Sequence, residues 1–416
     1  MEYSPAILHA KHLLFLLGII LGTGVAVGFI AQLLRVPDVV LFLLAGMALG
    51  GAGLDIINIK VDSTLNQLLL IFGSCYILFD GGASVRLNVL RNVWPTLLII
   101  STIGVLISTF VTACAAQFFL GLPFIVALLL GATIASTDPA TLVPIFKQLR
   151  IRAKVAQTVM SESAFNDAMG AILTFTLLGI AMGQGEFSLG DSLLDLAKQA
   201  VFGLAGGVIL GYLAAVFIAH EKYSFLAEYA PVVTLMAVAA AYLSVDNLHA
   251  SGFMAVFTFG IALGNKDLFG FKMSHEDELK LEDYILTTSF IMRIFIFVLL
   301  GSQVNFAPLQ QYFWGALGVV LVFMFIGRPL VVFSCALPDR RAKWQTGELL
   351  FMCWTRETGV IPGALAGMLV GMKAPYADVI ASVTFMAILI TIILQATTTE
   401  WLARKLGLLE TGGQIN

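Results

Sequence analysis

The sequence predicts an all-α polytopic membrane protein of thirteen transmembrane helices, arranged as two inverted six-helix repeats with discontinuous helices crossing at the midplane. Three observations carry that expectation. Of 416 residues, 59% are hydrophobic and only 12% charged, with a mean hydropathy of +0.94, too little charge to cover a water-soluble domain of this size. Lysines and arginines gather on one side of the apolar stretches. Short glycine-containing motifs of the first half return in the second.

A bilayer core about 30 Å thick is crossed by a helix of roughly 20 apolar residues. On that measure spans are expected at roughly 13–34, 39–54, 65–84, 93–119, 123–147, 154–182, 192–219, 226–244, 251–264, 282–305, 314–336, 347–372 and 376–403. The first run is too long for the apolar core of a signal peptide and lacks a small-residue cleavage pattern, so no cleavable leader is expected. The odd-numbered gaps and the C-terminus hold sixteen Lys and Arg; the N-terminus and the even-numbered gaps hold only Lys11, Lys60 and Lys373. The positive-inside rule then puts the N-terminus outside and the C-terminus in the cytoplasm. One helix more or fewer would scramble the asymmetry. The expected location is a bacterial inner (plasma) membrane, with the lipid bilayer as solvent. A net charge of −3 and a pI near 6.0 give no reason to expect a nucleic-acid partner. Cys75, Cys114, Cys335 and Cys353 lie in apolar segments without paired spacing, neither a disulfide framework nor a metal site.

The repeat is read from three matches. "AGMALG" (45–50) returns as "FGIALG" (259–264), "LFDGGAS" (78–84) resembles "VLLGSQ" (298–303), and "TDP" (137–139) corresponds to "TGVIP" (358–362). Units seven segments apart face opposite ways because seven is odd. The chain therefore divides into a first repeat at 1–182 (segments 1–6), a linker with segment 7 at 183–225, a second repeat at 226–405 (segments 8–13) and a short cytoplasmic tail at 406–416. Inverted repeats with a broken helix in each half characterise secondary transporters, whose substrate sites lie near the midplane.

The breaks have local causes. In "GATIASTDPATLV" (131–143), Thr137 and Asp138 are good N-cap residues and Pro139 suits the first helical position. One helix should stop near Ser136 and another begin at Pro139, with Asp138 against the positive end of the second. In "WTRETGVIPGALAG" (354–367), Gly359 and Pro362 do the same for segment 12. Freed backbone groups survive at that depth only where they line protein or a wet cavity.

A carboxylate at the bilayer centre costs about 2.5–3.5 kcal/mol on insertion scales, so intramembrane acids face the bundle interior and serve a purpose. Asp80 falls in segment 3, Asp138 in segment 5, Glu162 and Asp167 in segment 6, Arg293 in segment 10, Arg328 in segment 11, and Arg356 with Glu357 in segment 12. Glu162 and Asn166, like Ser163 and Asp167, are four residues apart and share a helix face. Buried salt bridges holding helices together would explain Glu162 and the arginines better than Asp167. Three acids with hydroxyls near a helix break make an oxygen-rich cage suited to hard cations such as Na+.

Segment 6, "SESAFNDA" (161–168), resembles the E-S-x-x-N-D signature of the monovalent cation:proton antiporter-1 family, the NhaP- and NHE-type Na+/H+ exchangers. "STDP" (136–139) is similar to that family's T-D-P break and "LFDGG" (78–82) to its segment-3 "LFEGG". The resemblance spans essentially the whole chain and implies an NhaA-like antiporter fold and a homodimer. It also implies that Asp167 carries both the monovalent cation and the proton, with Asn166 beside it and Ser163, Thr137 and Asp80 supplying further oxygens. Asp138 would balance the half-helix dipoles, and Glu162 would form a structural ion pair with an arginine of segment 12. The family places that arginine immediately before the segment-12 glycine; here Thr358 stands there, with Arg356 two residues earlier and an extra acid, Glu357, after it. Arg356 or Arg293 is expected to take the pair, and Glu357 has no assigned role.

The implied activity is exchange of Na+ or Li+, or K+, for H+ by alternating access, one for one and electroneutral, without a cofactor. A K+/H+ antiporter or K+ efflux system of related fold is the alternative; efflux systems usually carry a cytosolic nucleotide-binding domain, and this sequence ends about a dozen residues after segment 13. An organic-anion symporter does not suit an acidic cage. No GxGD pair or HExxH motif is present, so no intramembrane enzyme is expected. Histidines 9, 12, 220, 249 and 275 fall at segment ends and read as solvated.

Overall fold

A computed structural model describes residues 4–34, 36–51, 53–91, 93–137, 146, 151–183, 189–219 and 225–409. Among them, nine helices are long and apolar enough to cross a membrane and four shorter apolar ones accompany them. The only extended pairing among these residues is an isolated bridge between Ile151 and Leu409.

In chain order the helices are α1 (Pro5–Leu34), α2 (Asp38–Leu49), α3 (Thr64–Ser84), α4 (Trp94–Leu120), α5 (Phe124–Ile134), α6 (Ala153–Ala181) and α7 (Leu189–Ala219). Then come α8 (Ala230–Asp246), α9 (Gly252–Gly264), α10 (His275–Ser302), α11 (Phe313–Ala336), α12 (Thr346–Trp354), α13 (Val360–Gly371) and α14 (Ala377–Thr391). Their starts follow local chemistry. Ser63, Ser251 and Ser274 each accept a backbone N–H from three residues on, at 3.3, 3.1 and 3.2 Å. At the far end of α4, Gly121 adopts a left-handed φ of 65° that closes the helix before Pro123. α10 begins seven residues before the expected span. Ser274 caps it, and Glu276, Asp277 and Glu278 occupy its first turn, where the helix dipole favours acids.

α6 lies inside the bundle, with 67% of its most apolar window buried, whereas α1 and α7 bury only 22% and 33% and turn outward. Close glycine crossings hold the interior, among them one between α2 and α10 and one between α9 and α3. Gly46 of α2 lies where any side chain would strike the backbone of Val298 and Gly301 on α10. Gly260 of α9 lies where one would strike Phe79 and Ala83 on α3. Glycine lets each pair of backbones approach, the usual basis of tight packing in lipid.

Three interruptions shape the middle. α5 ends at Ile134, and Ser136 and Thr137 continue without helical structure. The rest of segment 5, with Asp138 and Pro139, lies outside the described residues. Residues 355–359 separate α12 from α13, so segment 12 is broken as its sequence predicts. α11 contains a π-turn at Phe323–Gly327, directly before Arg328 and Pro329. Pro329 has no N–H to donate, which loosens the ladder one turn earlier.

A candidate ion site at the helix break

Residues 161–167 lie near the middle of α6. Glu162, Ser163 and Asn166 are each 2% exposed and Asp167 is 4% exposed. At Gly170 a Cβ would come within 3.3 Å of the Ser136 Cβ, so α6 lies directly against the chain where α5 stops.

That contact brings three of the expected residues together. The Thr137 hydroxyl is 2.6 Å from Ser163 Oγ. The Thr137 backbone N–H donates to Asn166 Oδ1 at 3.1 Å, and Asn166 Nδ2 donates to Thr137 Oγ1 at 3.0 Å. A backbone group released by the end of α5 is thereby satisfied by a side chain of α6, as burial in a membrane requires. Asp167 follows Asn166 and stands one helical turn from Ser163. Asp80 is partly exposed on α3, whose next residue, Gly81, faces Ala164 of α6.

Glu162 does not pair with a segment-12 arginine or with Arg293. Its partner is Arg328. The Arg328 guanidinium donates Nη2–H to Glu162 Oε2 at 2.9 Å and Nη1–H to Glu162 Oε1, while its Nε–H donates to the Met352 carbonyl at 2.8 Å. Both residues are almost fully buried. The π-turn and Pro329 deform α11 at this level, and Arg328 reaches α6 and the end of α12 there.

The other arginines are committed elsewhere. Arg356 lies in the non-helical stretch between α12 and α13, so spacing along a helix does not govern its direction. It donates Nη1–H to Ser108 Oγ at 3.1 Å and Nη2–H to the Ala135 carbonyl, with its guanidinium 4.3 Å from the Phe323 ring centre. A cation thus sits at the C-terminal end of α5, where the dipole favours one. Arg293 approaches Asp38 of α2 at 4.0 Å, both partly exposed. Glu357 is fully buried at the break. Beside it the Thr358 N–H donates to Thr391 Oγ1 of α14 at 3.0 Å, and Trp354 Nε1–H donates to Thr398 Oγ1 at 2.8 Å.

A family model described as the transmembrane sodium/hydrogen exchanger matches residues 14–405. The chain belongs to the sodium/hydrogen exchanger family. Among its relatives, the Na+/H+ antiporter 1 of Methanocaldococcus jannaschii is 32% identical, over 94% of this chain and 95% of that protein. The K+/H+ antiporter NhaP of Alkalimonas amylolytica is 28% identical over 95% of this chain and 67% of that protein. The solved structure of the sodium proton antiporter MjNhaP1 from Methanocaldococcus jannaschii at pH 8 superposes with a TM-score of 0.82 at 31% identity, covering 95% of this chain and 99% of that one. The multi-pass, all-helical membrane architecture of this exchanger-family chain accords with that likeness.

The sequence of this exchanger-family chain puts Arg328 in segment 11 without indicating its partner, and Ser108 and Thr391 carry no signal there. The dipeptide Arg328-Pro329 was the available signal: a proline beside a charge in mid-segment marks a local distortion. Nothing in the sequence distinguishes Ser108 or Thr391 from other hydroxyls of apolar helices.

Proposed function

We propose that this chain exchanges Na+ or Li+ for protons across the membrane by alternating access, one cation for one proton, at Asp167. The observation that carries this reading is the hydrogen-bonded cluster of Thr137, Ser163 and Asn166. It gathers oxygen ligands at the end of α5, on the same buried stretch of α6 as Asp167, in a member of the exchanger family. Hard monovalent cations take oxygen donors. A carboxylate that binds either the cation or a proton, never both, exchanges the two. Asp80 is proposed as a further oxygen donor and Asp138 as the balance for the second half-helix of segment 5. The Glu162–Arg328 pair holds α6, α11 and the end of α12 together around the site.

The proposed architecture is thirteen segments in two inverted repeats. The four short apolar helices are α2, α5, α9 and α13, which fall in segments 2, 5, 9 and 12, so short elements recur seven segments apart. Two of the glycine crossings also exchange under that relation: α2 with α10 becomes α9 with α3. The repeats run over 1–182 and 226–405, with 183–225 as linker. The N-terminus lies outside and the C-terminus in the cytoplasm, on the lysine- and arginine-rich side. A homodimer in a bacterial plasma membrane is the proposed assembly.

K+ is the competing cargo. The buried Glu357 adds an acid at the segment-12 break, and K+/H+ antiporters stand among the relatives. Purified protein in liposomes with a pH gradient tests both readings. Addition of Na+ or Li+ should dissipate the gradient, and Asp167→Asn should abolish the response. Exchange at the wild-type rate in that variant would remove Asp167 from the mechanism; a response to K+ alone would replace Na+ by K+.

A further inference from the structure

We infer that the cavity between the start of α4 and the middle of α6 binds an anionic phospholipid from the arginine-rich leaflet. The cavity holds about 380 Å³. Leu90 and Leu97, both nearly fully buried, form its base; Leu87, Trp94 and Leu98, which are 40, 51 and 52% exposed, form its rim; Phe165 of α6 lines it as well. Its remaining lining residues, Asn88 and Arg91, are exposed and polar, and both come from the connection before α4.

The occupant follows from this division. An apolar hollow of this kind does not hold water well, since a bound water needs two to four polar partners. It opens among the exposed side chains of Trp94 and Leu98 on transmembrane helix α4, with Leu87 of the preceding connection beside them, a surface that meets lipid. From Trp94 to Leu98 is four residues of α4, about 6 Å along its axis, enough to follow the first few carbons of an acyl chain. Trp94 marks the interfacial level, where tryptophan is favoured. Arg91 makes no hydrogen bond or ion pair among the described residues, whereas nearby Arg86 donates to the Gly264 carbonyl at 2.8 Å. The Arg91 guanidinium is therefore available to a phosphate, which it matches in a two-point geometry. A basic group at the membrane surface above an apolar slot selects an anionic head with a fatty tail. The site borders the ion cluster: Phe165 precedes Asn166, and its ring meets Phe257 of α9 edge-on with centroids 4.7 Å apart.

The test measures bound lipid and needs no transport, so it stands apart from the exchange reading. Purified protein is equilibrated in mixed micelles holding equal phosphatidylglycerol and phosphatidylcholine, and retained lipid is counted by mass spectrometry. The wild type should retain phosphatidylglycerol several-fold over phosphatidylcholine. Arg91→Gln, on an exposed turn, should remove the preference but leave acyl-chain occupancy. Leu98→Trp should fill the slot and lower retention of both lipids. Glycerol phosphate, a head without a tail, should fail to compete. Equal retention of the two lipids by the wild type, full preference in Arg91→Gln, or displacement by glycerol phosphate would each overturn the assignment.

Discussion

Asn166 and Thr137 bond to each other three times where α5 stops, the amide oxygen accepting the Thr137 N–H at 3.1 Å and the Thr137 hydroxyl at 3.3 Å, and the amide nitrogen donating to that hydroxyl at 3.0 Å. The side chain of α6 thus completes the backbone of a different segment. Replacement by alanine leaves the Thr137 N–H buried without that acceptor, a loss of about 1–3 kcal/mol. Asn166→Ala should therefore melt several degrees lower in detergent and lose most of its exchange. Asn166→Asp keeps an acceptor for the N–H and should melt close to the wild type. Equal melting of all three proteins would show that these bonds do not support the end of α5.

The Glu162–Arg328 pair yields a sharper contrast. Removing one partner strands a charge in the bundle, which typically costs about 3–5 kcal/mol, while replacing both with neutral groups costs far less. Glu162→Gln and Arg328→Met should each destabilise the protein strongly. The double variant should recover much of the loss, and melting curves of the four proteins measure the coupling. Strictly additive losses would mean the two groups act independently.

Arg293 and Arg356 should separate in the same assay. Arg293 meets Asp38 only at 4.0 Å, with side chains 19% and 27% exposed, and such pairs contribute about 0–1 kcal/mol. Arg293→Gln should melt near the wild type. Arg356 is buried and supplies donors to Ser108 and to the final turn of α5. Arg356→Gln should melt clearly lower, because the Ala135 carbonyl and the dipole of α5 lose their cation. A larger effect at Arg293 than at Arg356 would contradict the geometry.

What could be read from residues alone follows from how far each interaction reaches. The nine long apolar helices were legible because lipid imposes one demand on each of them, twenty or so apolar residues whatever their neighbours. The end of α5 just before Ser136 and the interruption of segment 12 at 355–359 were legible because capping residues, proline and glycine act within a few positions. Ser163 and Asn166 stood out as polar groups on one face of an apolar helix. The choice of Arg328 over Arg356 was not legible, since it depends on a π-turn in α11 and on the path of residues 355–359, both set by packing. Distance in sequence between Glu162 and an arginine carries no information about that choice.

Asp339, in the turn after α11, accepts the Thr96 hydroxyl at 2.6 Å and the backbone N–H groups of Thr96, Arg341 and Ala342 at 3.2, 3.0 and 3.3 Å. Partial burial pushes its carboxyl up, but the Thr96 hydroxyl and then the three N–H donors outweigh it, and the group lies below the usual carboxylate range. Thr96 also accepts Trp344 Nε1–H at 3.0 Å, and Lys154 lies 4.1 Å from the Trp344 ring centre, so the carboxylate anchors a turn that joins α4, α6 and α11. A carboxyl depressed on folding stabilises the fold above its unfolded pKa, and the contribution is lost as pH falls through the folded value. The turn should accordingly hold unchanged from about pH 5 to about pH 8, with titration confined to more acid solution. Asp339→Asn removes the charge at every pH. It should expose Arg340, Arg341 and Lys343 to faster trypsin cleavage at neutral pH while the wild type resists. Equal cleavage rates would mean that the four bonds to Asp339 do not fix the turn.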